Sequence, residues 1–118
     1  MANNFVKPGK HLTFTAGANV ASGGGVVLGS LIGVALTAVA NGASGEAAVE
    51  GVWEMPKAAG AAINAWTRPV WKVGAANFAA SGAATGDILN AVVAVETAAS
   101  AATKVKVKLL PGSGSVSP

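Results

Sequence analysis

Strict alternation of polar and apolar positions is clearest at residues 104–110, KVKVKLL. A helix would scatter those lysines around its circumference, whereas an extended chain puts Lys104, Lys106 and Lys108 on one side, so the segment is predicted as a strand. A longer stretch, residues 31–57 (LIGVALTAVANGASGEAAVEGVWEMPK), reads as a strand, a small-residue turn at 41–45 and a second strand stopped by Pro56. In that second limb Glu46, Glu50 and Glu54 fall on one side of an extended chain, with Val49, Trp53 and Met55 on the other. Glutamates four apart also share a helix face. Three features favour the strand: Gly51 would cost a helix interior roughly 1 kcal/mol, Val52 and Trp53 suit a pleated surface, and the same grammar returns later in the chain.

Residues 30–40 (SLIGVALTAVA) align with residues 90–100 (NAVVAVETAAS), Thr37 falling on Thr97. Each block then meets a short break and a charged strand ending at a proline, 46–56 in the first and 104–111 in the second. Two hairpins of similar design imply a sheet protein with an internal pseudo-repeat, although alanine-rich blocks align easily. Elsewhere, residues 11–15 (HLTFT) read as a strand with Leu12 and Phe14 facing in and His11, Thr13 and Thr15 facing out. Residues 26–29 read as a short strand, and 70–73 (VWKV) as another with Trp71 and Val73 on one face. Residues 57–66 (KAAGAAINAW) are the one candidate for a short helix or tight connection, weakened by Gly60, and 78–87 read as a loop. Residues 88–97 and 103–110 form the last hairpin. The expected fold is all-β, a small β-sandwich or β-barrel of about seven short strands with at most one short helix. Residues 1–10 are expected to form an N-terminal arm, 11–110 a single β-rich domain and 111–118 a flexible C-terminal tail.

Composition changes this picture in one respect. The chain of 118 residues is 52% hydrophobic, yet much of that is alanine, with 16 glycines and only three tryptophans and three phenylalanines as large aromatics. Burial stabilises by about 25 cal/mol per Å² of apolar area, so a core of small side chains is a modest one. An oligomer or assembled lattice is the natural supplier of the remaining stability. A net charge of +3 is too mild to announce a nucleic-acid binder by itself. There is no cysteine, hence no disulfide framework. Residues 12–45 carry no charge, but their greasiest part, 26–40, is shorter than the roughly 20 residues of a helical membrane span. The first ten residues carry no apolar signal-peptide core, so the protein is expected to be made and kept inside the cell that makes it.

The inventory for catalysis is thin, and no catalytic, cofactor-binding or metal-binding residue is expected. His11, the only histidine, sits among threonines on a polar strand face, and Asp87, the only aspartate, follows Gly86 as turn chemistry. Alternate residues of a strand lie about 7 Å apart, so glutamates at twice that spacing cannot grip one ion. The lysine row has two readings: an edge strand guarded against aggregation, or a partner for the row Glu46, Glu50 and Glu54, within one subunit or between subunits. As a phosphate track it would need interleaved aromatics, and Trp66 or Trp71 would have to serve as stacking platforms. Trp53, Trp66 and Trp71 read as large plugs in a small-residue core, with one of them a possible contact anchor.

The order of residues 5–9 (FVKPG), 12–16 (LTFTA), 32–37 (IGVALT), 49–58 (VEGVWEMPKA) and 105–110 (VKVKLL) resembles the capsid cement, or head decoration, proteins of tailed bacteriophages. Between 60 and 87 the chain departs from that family's pattern, with RPVWK at 68–72 where Gly-Asp and an aromatic Val-Tyr-Trp strand are usual. The resemblance implies a small β-rich protein on the outer surface of a virion capsid, a homotrimer that clamps neighbouring major capsid proteins, with no enzymatic activity, no cofactor, no direct nucleic-acid partner and no membrane. On that picture the arm meets the shell through Asn3, Asn4, Phe5, Lys7 and Lys10. The alternatives are a small barrel that binds single-stranded nucleic acid, or another structural virion component such as a tail protein.

Overall fold

In the computed structural model, which describes residues 9–118, the short apolar runs and glycine-rich turns give eleven strands and, among the described residues, no helix. In chain order they are β1 (His11–Thr15), β2 (Gly25–Leu28), β3 (Leu31–Ala35), β4 (Ser44–Ala48), β5 (Val52–Pro56), β6 (Val70–Lys72), β7 (Asn77–Ala79), β8 (Ile88–Leu89), β9 (Val92–Ala94), β10 (Lys104–Leu109) and β11 (Ser115–Val116). They build three antiparallel sheets, ordered β1-β4-β3-β2, β5-β10-β9 and β11-β8-β6-β7. The all-β class holds, in a form consistent with a small sandwich, but with more and shorter strands than the seven expected.

The extra strands come from breaks that alternation cannot reveal. The predicted strand 46–56 is split into β4 and β5 at Gly51, whose φ of 103° glycine adopts without a Cβ clash. The predicted strand 88–97 is likewise split into β8 and β9 beside Asn90, at φ 59°, a left-handed position that asparagine tolerates. Each break hands the chain to another sheet. Residues 57–66 form no helix: Gly60 sits at φ 115° and Ile63 bridges Ala98. Phe78, expected in a loop, is the buried centre of β7, while Val73, just past the end of β6, is exposed. The expected flexible tail pairs Ser115 with Leu89 and Val116 with Ile88, and the Ser117 N–H donates to the Asp87 carbonyl at 2.8 Å.

The internal repeat exists at the level of strand register. Thr13 faces Glu46 in the first sheet as Glu54 faces Lys106 in the second, and Val34 faces Ala48 as Val93 faces Lys108. The flanking loops match as well, the bridge Val20↔Val39 recurring as Ile63↔Ala98. In this superposition Ala35 corresponds to Ala94, so Thr37 falls on Glu96 and not on Thr97. The displacement by one arises because the second repeat carries one more residue between its bridge and its charged strand.

The first repeat is buried on both sides of its ribbon and the second on one. β3 is covered on both faces, Ile32 and Val34 joining the large cluster around Met55, Trp71, Phe78 and Val107, and Ala35 joining a smaller one with Phe14, Val26, Val39 and Ala47. In the second repeat Met55, Val105 and Val107 face the large cluster, which leaves the opposite side of β5 and β10 to solvent.

Asp87, read from sequence as simple turn chemistry, ties β6, β8 and the loop between them. Its carboxylate accepts from the Ala84 N–H at 2.8 Å and the Val73 N–H at 3.1 Å and pairs with the Lys72 ammonium at 2.9 Å. The Ala84 N–H first, then Lys72 and the Val73 N–H, hold its pKa down to about 2. A depressed carboxylate stabilises the folded state fully above its unfolded pKa, about 3.9, and ceases to do so as pH falls through the folded value. Urea midpoints should therefore decline between about pH 4 and pH 2, and Asp87→Asn should lower the neutral-pH midpoint while flattening that decline. An unchanged profile in Asp87→Asn would contradict the assignment.

Candidate functional site

β10 is the central strand of its sheet, so its lysines guard no open edge. Burial alternates along it residue by residue, Val105, Val107 and Leu109 entering the core and Lys104, Lys106 and Lys108 pointing out. The neighbouring β5 sets Glu54 opposite Lys106, Val52 opposite Lys108 and Pro56 opposite Lys104. The Lys106 ammonium also lies 3.5 Å from Glu96 Oε2. Both groups are well exposed, so that pair contributes less than about 1 kcal/mol. The expected acidic row does not exist as a row: Glu46 lies in the first sheet and accepts from the Thr13 hydroxyl, and Glu50 lies in the turn before Gly51. Only Glu54 of the three meets the lysines. Among the described residues Lys104, Lys108 and Arg68 have no carboxylate at ion-pair distance. The result is an open sheet face with a positive excess.

The three tryptophans divide. Trp71 is 2% exposed and meets Phe78 edge to face, ring centroids 4.8 Å apart. Trp53 is half-buried against the main core, its indole N–H donating to the Glu50 carbonyl at 3.0 Å. Trp66, expected as a core plug or an anchor, is 74% exposed and is no part of the core.

Its backbone explains why that matters. In the first repeat the Gly23 N–H donates to the Ala35 carbonyl at 2.8 Å and the Ala35 N–H to the Gly24 carbonyl at 3.0 Å. This is the bond pattern of a β-bulge whose first residue takes a left-handed conformation and is ordinarily glycine; Gly23 has φ 80°. In the second repeat the Trp66 N–H donates to the Ala94 carbonyl at 2.7 Å and the Ala94 N–H to the Thr67 carbonyl at 2.9 Å. Trp66 thus stands in the glycine position, at φ 69°, a placement that costs a bulky residue roughly 1–2 kcal/mol. The turn is held on both sides, the Thr67 hydroxyl donating to the Asn64 carbonyl at 2.6 Å and the Ala65 N–H to the Thr97 hydroxyl at 3.0 Å. Through Ala94 the bulge extends the sheet that carries the lysines, and the exposed Arg68 follows it. Alternation gave no sign of Trp66 and Arg68 as a unit. The readable signal was Trp66-Thr67 standing where the repeat has Gly23-Gly24.

The remaining candidates are scattered. Asn3, Asn4, Phe5 and Lys7 lie outside the described residues. Lys10 immediately precedes β1, its carbonyl accepting from the Val49 N–H at 2.9 Å. With His11, Glu50 and Gly51 it lines an open hollow of about 230 Å³. Lys57 is a buried cation capped by the carbonyls of Ala58, Ala102 and Ser100 at 2.9, 3.2 and 3.4 Å. Among the described residues no three His, Cys, Asp or Glu side chains gather as a metal site would require.

A family model described as phage cement protein matches residues 6–109. No curated protein matches the chain.

Proposed function

Because the chain belongs to the phage cement protein family, whose members are structural, capsid-associated proteins of phage, we propose that it binds the outer surface of an assembled capsid as a homotrimer and cements neighbouring major capsid proteins. The observation that supports this reading most is the family match across residues 6–109, joined to a sheet face on which Lys104 and Lys108 have no carboxylate at ion-pair distance among the described residues. A fastener needs several modest contacts rather than one reactive pocket, because each engaged site raises the effective concentration at the next. The expected effect is mechanical. Purified protein added to phage heads that lack it should co-sediment with them and raise the temperature at which they rupture. Protein that stays in the supernatant would contradict the proposal.

The arm is the second contact of this proposal, with Asn3, Asn4, Phe5, Lys7 and Lys10 as its candidates. Deleting residues 2–9 should abolish co-sedimentation and leave the melting temperature nearly unchanged, since the deletion spares the bond from the Val49 N–H to the Lys10 carbonyl. A truncated protein that still decorates heads would remove the arm from the account.

A further inference from the structure

We infer that Trp66, with Arg68 beside it, is a preformed anchor that inserts into an apolar pocket rimmed by carboxylates on the capsid protein. The inference rests on the capsid-binding reading above and assigns that reading its central contact. Four observations carry it. Among the described residues Trp66 is the most exposed of the large hydrophobic side chains, at 74%. It occupies a bulge position that the first repeat gives to Gly23, so the fold would be easier to form without it, and locally unfavourable choices of this kind concentrate at functional sites. The turn around it is fixed by the Asn64, Ala94 and Thr97 hydrogen bonds, so docking orders little that is not already ordered, which favours affinity. Tryptophan and arginine are also the residue types that dominate binding hot spots.

Charge selects the occupant. Arg68, Lys104 and Lys108 have no carboxylate partner among the described residues; the two lysines lie on the sheet that the bulge extends through Ala94, and Arg68 follows the bulge in the chain. An acidic protein surface satisfies them. Single-stranded nucleic acid would also offer negative charge, but it is held by several aromatics along a groove, and Trp71 is buried while Trp53 is half-buried.

Trp66→Gly separates this role from a structural one, because glycine relieves the backbone while deleting the indole. The variant should melt at or above the wild-type temperature and bind phage heads roughly thirtyfold more weakly or worse, the loss typical of a hot spot. Arg68→Glu should weaken head binding in the same direction with melting unchanged. Wild-type binding to heads by Trp66→Gly would overturn the inference and leave capsid binding standing. A marked loss of melting temperature would make Trp66 structural, and a changed mass of the free protein would assign it to contacts between copies; either overturns it. Trp66 fluorescence quenched by a single-stranded oligonucleotide at physiological salt would move the site to nucleic acid. If the wild-type protein fails to bind heads, the capsid reading itself falls and this contact with it.

Discussion

Trp71→Ala should be the most damaging single substitution in the chain, lowering unfolding free energy by about 3–5 kcal/mol, the usual loss when a buried tryptophan is truncated to alanine. The indole joins two sheets. It packs on Phe78 from the same sheet, and across the interface it fills the space above Gly25 of β2, where a Cβ would come within 2.4 Å of the ring. Few other large side chains are available to close the gap, since much of the remaining core is Ala and Val. Against a total stability of about 5–15 kcal/mol for a typical domain, such a loss should leave the variant partly unfolded at 37 °C. Urea denaturation followed by tryptophan fluorescence measures it. A loss below about 1 kcal/mol would mean that the sheets are joined elsewhere. The contrast with Trp66→Gly is informative, because the two tryptophans lie five residues apart and the expected stability effects differ in sign.

The second large effect concerns binding. Reversing Lys104, Lys106 and Lys108 to glutamate should weaken attachment to phage heads on the order of a hundredfold, since like charges facing each other across an interface cost several kcal/mol. The fold should survive, because all three side chains point away from the core. Some loss of stability is expected where a glutamate at position 106 would face Glu54 and approach Glu96. Adding Glu54→Lys and Glu96→Lys should repair that local loss without restoring attachment. Restored attachment would instead show that the lysines act by pairing within the chain. Wild-type attachment should also weaken as salt is raised.

What was legible in the sequence was whatever period two can carry. The alternation of residues 104–109 fixed β10 and its outward lysines, and HLTFT at 11–15 fixed β1 with Phe14 inside. What was hidden were the places where one residue turns the chain between sheets. Gly51 and Asn90 interrupt segments that each read as a single strand, and the alternation that runs straight through Gly51 is why Glu46, Glu50 and Glu54 looked like one row. Strand β11 was hidden for a different reason: GSGSVSP has no apolar face, and its pairing depends on backbone bonds to β8 and to the Asp87 region. The repeat was visible but one residue out of register, and that slip concealed the match of Trp66 with Gly23. In correct register the anomaly stands out, because only one of the two bulges departs from the residue its geometry favours.

The central claim is that this protein is fastened to the outside of the shell by the lysine sheet and its Trp66 edge. Imaging of purified phage heads carrying the wild-type protein, at a resolution that traces side chains, tests it most directly. Density for this chain is expected on the outer surface where capsid subunits meet, with the face of Lys104, Lys106 and Lys108 and the Trp66 indole turned towards the shell. Density inside the head, on the tail, or on the surface with that face pointing to solvent would contradict it.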